Sequence, residues 1–134
     1  MKKLIGQIKK ARMVFTIGNG GSSATAEHLA NDLFSKGIKS ICLNSNNSIM
    51  TMIANDYGYE DVFSRQIELY GNSDDLLITI SCSGTSPNIV EAQTAAKIRG
   101  LTVYTFKTFS GDSRDYESLE DKHMQLVHKI KKAL

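Results

Sequence analysis

The stretch Met13-Val14-Phe15-Thr16-Ile17-Gly18-Asn19-Gly20-Gly21-Ser22-Ser23 decides the fold class. Its first half is a short apolar run with β-branched residues, which has strand character. The run stops abruptly at three glycines and an asparagine. Its second half opens a segment of helical composition, residues 22–36, carrying Ala24, Ala26, Leu29, Ala30 and Leu33 and stopped by Gly37. A strand that passes into a helix across a glycine loop is one step of an alternation, and the rest of the chain repeats it.

Before this stretch, residues 2–11 read as a short basic helix with Leu4, Ile5 and Ile8 on one face. After it, Ser40-Ile41-Cys42-Leu43 is a second strand. An Asn- and Ser-rich loop leads to a helix around residues 50–54, and residues 62–70 form another. Residues 75–81 are a third strand, apolar enough to be central in a parallel sheet. Residues 87–99 are a helix with Gly100 beyond its end, residues 101–106 a fourth strand, and residues 117–134 a final helix. Strands alternating with helices predict an α/β fold of three αβα layers, built on a parallel, four- to five-stranded Rossmann-like sheet. The 134 residues suit one domain, with residues 1–12 as its short N-terminal helix.

Composition excludes several function classes. Hydrophobic residues make up 41% and charged residues 22%, ordinary for a soluble domain. The net charge of +2 sets up no field that would draw a polyanion. Lys2, Lys3, Lys9, Lys10 and Arg12 cluster at one end and Lys129, Lys131 and Lys132 at the other. They read as solvated helix faces, not as a nucleic-acid surface. Cys42 and Cys82 lie in or just after apolar runs and read as reduced thiols. No apolar stretch approaches the ~20 residues of a membrane span, and no secretory pattern opens the chain, so a cytoplasmic setting without a membrane partner is expected.

In open parallel sheets, ligands bind at the carboxyl ends of the strands. Two loops there are unusual. In Gly18-Asn19-Gly20-Gly21-Ser22-Ser23, the glycines let backbone N–H groups approach a ligand, and a helix amino end adds a positive dipole suited to an anion. The spacing is not G-x-G-x-x-G, the second strand ends in Asn44 and not in an acid, and no Gly-Lys-Ser/Thr follows; a nucleotide cofactor is not expected. A plain tight turn remains the alternative. In Ser81-Cys82-Ser83-Gly84-Thr85-Ser86-Pro87, Ser86 fits the N-cap of the next helix and Pro87 its first position. Capping needs one serine, which leaves Ser81, Ser83 and Thr85 as surplus hydroxyls beside a helix amino end: a neutral phosphate cradle.

Together with Asn55-Asp56-Tyr57-Gly58-Tyr59 and Phe63-Ser64-Arg65-Gln66, these loops resemble the phosphoheptose isomerases of the SIS (sugar isomerase) class, from about residue 13 onward. The resemblance implies a phosphosugar bound at the serine loop and aldose–ketose isomerisation of sedoheptulose 7-phosphate through an enediol. It implies substrate contacts from Asn19, Gly20, Gly21, Ser22, Asn55, Asp56, Ser81, Cys82, Ser83, Ser86 and Glu120. It places the catalytic carboxylate on Asp32 and the catalytic histidine on His128, and it adds zinc as a candidate cofactor with His28, Asp32, Glu120 and His128 as donors. Self-association to a dimer or tetramer is implied as well. The alternative is a non-catalytic SIS domain that senses a phosphosugar or acts as a scaffold.

Spacing alone is less committal. His28 and Asp32 at i,i+4 share a helix face, as a metal pair, an acid/base pair or an exposed pair without consequence. Glu120 and His128 lie about 12 Å apart along a helix axis and about 80° apart around it, far for one metal. Several departures from the family pattern stand out, among them Glu120 for a glutamine and only about a dozen residues before the first strand. Asp32 replaces a glutamate, and Cys82 a threonine. Residues 108–116 are too few for the family's last strand. The apolar stripe Met124, Val127, Ile130 and Leu134 is either an association face or a cover for the sheet.

Overall fold

The computed structural model describes residues 1–106 and 115–134. In chain order these form α1 (Lys2–Lys10), β1 (Val14–Gly18), α2 (Gly21–Ser35), β2 (Ser40–Cys42), α3 (Asn47–Asp56), a single 3-10 turn (Tyr59–Asp61), α4 (Ser64–Tyr70), β3 (Leu76–Ile80), α5 (Pro87–Ile98), β4 (Thr102–Thr105) and α6 (Tyr116–Ala133). The strand order is β2-β1-β3-β4, parallel throughout, with Gly18 opposite Ile80. The α/β reading therefore holds. Four strands are found among the described residues; residues 107–114, where the final strand of the family pattern would fall, lie outside them.

Both faces of the sheet are buried, which is why β1 and β3 read as continuous apolar runs and not as alternation. Val14, Leu76, Ile78 and Ile80 face a core shared with Leu4 and Ile8 of α1, Leu29 and Leu33 of α2, and Val127 and Ile130 of α6. Phe15, Ile17 and Leu77 face the other core, with Ile53, Phe63, Ile67, Ile89 and Ala92 from α3, α4, α5 and the turn before α4. Each fully buried Leu or Ile contributes about 1.5–3 kcal/mol. The α6 stripe is thus settled: Val127 and Ile130 are fully buried and Met124 and Leu134 pack on the same core, so this face covers the first layer and is not free for association.

Helix α3 starts at Asn47, three residues before the sequence suggests, because Asn46 caps it by accepting the Ile49 N–H at 3.1 Å. At the amino edge of the sheet, buried Asp75 accepts from Arg12 Nη2 and from the Asn72 N–H, each at 2.8 Å. Hydroxyls tie α2 to the sheet: Thr16 donates to the Ala26 carbonyl at 2.9 Å and Ser40 to the Ala30 carbonyl at 2.7 Å.

The chain leaves β1 toward β2 on one side and resumes at β3 on the other. The switch point of the topology therefore falls between β1 and β3, whose carboxyl ends carry the glycine and serine loops. Among the described residues no helix is long and apolar enough to cross a membrane.

Candidate functional site

The glycine loop is shaped by what surrounds it. A Cβ on Gly18 would overlap the Ser22 carbonyl, because the first turn of α2 folds directly over β1. Gly20 has φ +55 and ψ −126, a conformation open to glycine. Asn44 accepts the Gly18 N–H at 3.2 Å and donates to its carbonyl at 2.8 Å, so one side chain holds both backbone groups of Gly18. The position where a dinucleotide fold would carry an acid is occupied by a brace.

Asn19 is held across the switch point. It donates to Asn88 Oδ1 and accepts from Asn88 Nδ2, both at 2.9 Å, and Tyr59 Oη donates to Asn19 Oδ1 at 3.2 Å. Asn88 sits in the first turn of α5, so this amide pair joins the two ligand loops.

In the serine loop, Ser81 Oγ accepts the Gly84 N–H at 3.0 Å and Ser83 Oγ accepts the Thr85 N–H at 3.3 Å. Ser83 and Ser86 hydroxyls lie 3.4 Å apart. Ser86 stands at the N-cap of α5, yet its side chain makes no cap bond and meets the Ser83 hydroxyl instead. Ser22 Oγ lies 3.8 Å from Cys82 Sγ. Burial pushes the Cys82 thiol above its ordinary pKa; the Ser22 contact opposes this and the Glu120 charge adds to it.

These residues enclose a cleft of about 150 Å³ lined by Asn19, Ser22, Ser81, Cys82, Ser83, Ser86, Tyr116 and Glu120. Three helices, α2, α5 and α6, begin at or beside it. Two larger clefts of about 430 Å³ lie elsewhere, one at the amino edge of the sheet by Arg12 and Asp75, the other between β2 and α3–α4. The second also has hydroxyls, Ser45 and Ser48, at the amino end of α3, but neither cleft lies at the β1–β3 switch point.

The second cluster lies further along the same seam. Helices α2 and α6 run side by side in the same direction: Glu120 rests against Gly21, the His28 and His128 rings meet at 5.3 Å, and Lys131 reaches Asp32. His28 stands six residues beyond Ser22, about 9 Å along the axis. Asp32 is buried, its side chain 2% exposed. Its Oδ1 accepts from Lys131 Nζ at 2.5 Å and its Oδ2 lies 3.3 Å from His28 Nε2.

Most of the residues named from sequence therefore fall into two groups. Asn19, Ser22, Ser81, Cys82, Ser83, Ser86 and Glu120 line the cleft, with Gly20 and Gly21 in the chain between Asn19 and Ser22; His28, Asp32 and His128 form the second cluster. Glu120 is not brought to the other three zinc candidates. Asn55 and Asp56 stay on the exposed last turn of α3, bonded to each other at 2.8 Å, and the structure does not bring them to the cleft. Sequence reasoning missed Asn44, Asn88, Tyr59 and Lys131. An asparagine directly after Ser86-Pro87, at a helix start where serine already fits the N-cap position, is a usable signal for Asn88; the partners of the others emerge only in the fold. His123 packs edge-on against Phe106 in the core, with ring centroids at 5.6 Å.

The SIS domain family profile matches residues 1–107. A phosphoheptose isomerase of Helicobacter pylori (strain P12) is 42% identical, over 93% of this chain and 75% of its own length. A phosphoheptose isomerase of Burkholderia pseudomallei (strain 1710b) is 37% identical, over 92% of this chain and 73% of its own. The solved phosphoheptose isomerase of Neisseria gonorrhoeae superimposes with a TM-score of 0.90 at 27% identity, over 98% of this chain and 80% of its own. The NanR protein of Vibrio vulnificus, at 20% identity and a TM-score of 0.69, shares the fold. With loops, strand order and relatives in agreement, the chain belongs to the SIS domain family and stands among that family's phosphoheptose isomerases.

Proposed function

We propose that the protein isomerises sedoheptulose 7-phosphate to an aldose heptose 7-phosphate through an enediol. The observation that carries this is the single α2–α6 seam. It bears an anion cleft at its amino end and, further along α2, an imidazole about 9 Å on (His28, with His128 against it) and a carboxylate about 15 Å on (Asp32). That spacing suits a substrate with its phosphate at one end of a long carbon chain and its reacting carbons at the other.

The phosphate takes hydrogen bonds from Ser83, Ser86 and neighbouring hydroxyls and from free N–H groups at the α2 and α5 amino ends, where the helix dipoles favour a dianion. At the other end a base removes a proton from C1 of the ketose and returns it to C2, while a proton moves from O1 to O2. A carboxylate and an imidazole supply both transfers near neutral pH without a redox partner. Asp32 serves as the base at carbon, and His128 carries the proton between the oxygens. The Asp32 side chain is covered by those of His28 and Lys131, each 42% exposed, so a substrate carbon meets it when these swing aside. No nucleotide enters this reading, and a cytoplasmic setting goes with it.

Ser83→Ala is expected to weaken binding of sedoheptulose 7-phosphate by roughly 10- to 100-fold in isothermal titration. One hydrogen bond to a charged group is worth about 1.5–3 kcal/mol. Ser83 is exposed and its loss removes only a long, exposed bond from the Thr85 N–H, whereas Ser81 is buried and its loss removes the shorter bond from the Gly84 N–H. Unchanged affinity in Ser83→Ala would remove the loop from the phosphate site.

Self-association to a dimer or tetramer belongs to the same reading. Its support is the set of large apolar side chains left in solvent, Phe34 at 74%, Leu69 at 75% and Ile98 at 81% exposed. Light scattering at micromolar concentration is expected to give a dimer or larger; a clean monomer counts against it.

A further inference from the structure

The four residues read as zinc donors do not fit one metal. Zinc holds its nitrogen and oxygen donors at about 2.0–2.2 Å, so all four would have to come within about 4 Å of one another. Glu120 rests instead on Gly21, eight residues and about 12 Å along α6 from His128. Among the described residues no three His, Cys, Asp or Glu side chains converge as a metal site. What does meet the carboxylate is a cation of the chain's own: Lys131 Nζ bonds Asp32 Oδ1 at 2.5 Å, and no other charged partner is nearer. An ammonium at that oxygen repels a divalent ion placed between Asp32 and the histidines, strongly so where water is largely excluded.

We propose that the Lys131 ammonium is the resident cation of the His28–Asp32–His128 cluster, occupying the carboxylate where a divalent metal would bind and keeping such a metal out. Lys131 comes from the last turn of α6 and Asp32 from the last turn of α2, so the pairing is made by the packing of the two helices. The ammonium neutralises a buried carboxylate and fixes Oδ1, which leaves Oδ2 as the oxygen turned toward His28. The proposal concerns the seam used in the isomerase reading, yet its readout is metal affinity. A protein that turns over no sugar can satisfy it, and an active isomerase can fail it.

The test is zinc titration of the full chain against a chromophoric zinc chelator, with melting temperature measured in parallel with and without zinc. The wild type is expected to take up no stoichiometric zinc at micromolar concentration. Lys131→Met frees Oδ1 and is expected to bind about one zinc, at least roughly tenfold more tightly than the wild type. The scale follows the 10- to 100-fold by which groups next to a metal site change its affinity. Zinc should then raise the melting temperature of this variant, by mass action on the folded state. Lys131→Arg keeps the charge and should behave as the wild type, and adding His128→Ala to Lys131→Met should remove the gain. Should Lys131→Met fail to fold, Lys131→Gln, which removes the charge and whose neutral amide yields Oδ1 to a metal, takes its place. Tight stoichiometric zinc in the wild type that His128→Ala abolishes overturns the proposal, as does a folded Lys131→Met or Lys131→Gln with no gain in affinity.

Discussion

Asp32→Asn is expected to lose about 10²–10⁴-fold in kcat on sedoheptulose 7-phosphate while KM and binding change little, the usual loss for a positioned acid/base group. The amide keeps the shape of the side chain and its contact with Lys131, but it cannot accept a proton from carbon. The proposed phosphate cleft is untouched, since Ser22 at its wall lies nearly three turns away along α2. His128→Ala is expected to behave likewise, because its ring meets His28 at 5.3 Å and reaches no residue of the cleft. Asp32→Glu moves the carboxylate one methylene outward from a seam in which it is 2% exposed. The side chains that cover it, His28 and Lys131, are each 42% exposed and can yield. Turnover is therefore expected to rise, since misplacement of about 1 Å can cost on the order of a hundredfold. A coupled assay on purified protein measures the three variants against the wild type. If neither the wild type nor Asp32→Glu turns over any heptose or pentose phosphate while binding persists, the chain is a phosphosugar-binding SIS domain without catalysis.

Gly18→Ala is expected to remove phosphosugar binding and to lower the melting temperature by about 10 °C or more. The new methyl would overlap the Ser22 carbonyl and come within 2.9 Å of the Ser23 nitrogen, both backbone atoms in the first turn of α2. Side chains can rotate away from such a contact; a helix turn cannot. Gly18 cannot retreat the other way, because Asn44 holds its N–H and its carbonyl together. Overpacking costs about 1–3 kcal/mol where side chains can relax, and more against backbone. Each kcal/mol is worth about 3–5 °C in a domain of this size. Gly21→Ala is the informative comparison: its methyl would meet the end of the Glu120 side chain, which can move, so only a small loss of stability is expected. Differential scanning calorimetry of the two variants separates the cases, and equal melting temperatures would contradict the close approach at Gly18.

The sheet was legible because parallel strands buried on both faces are short apolar runs, and because Gly37 and Gly100 close their helices where expected. The face of α1 was legible too: Leu4 and Ile8 are buried, and Ile5 packs against them. His28 and Asp32 could be paired from their i,i+4 spacing, since that contact is local. His128 could not be joined to them from spacing. Its place beside His28 arises only once α6 lies along α2, 100 residues later in the chain, and the resemblance supplied it. Lys131 was hidden for the same reason and looked like one more solvated lysine of a basic tail. Asn44 and Asn88 were hidden because an asparagine in a loop reads as turn chemistry until its tertiary partner is known.

Among the described residues, no lysine or arginine lines the anion cleft, and Glu120 even adds a negative charge at its wall; what draws an anion there is hydroxyls, N–H groups and the amino ends of three helices. An isomerase hands back a product bearing the same phosphate as its substrate, so a grip that is too strong would make departure the slow step. A cradle of neutral donors orients the dianion by geometry and has no point charge to be stripped away on exit. Exchange of one heptose phosphate for the other is thereby kept easy, in both directions, by the choice of donors alone.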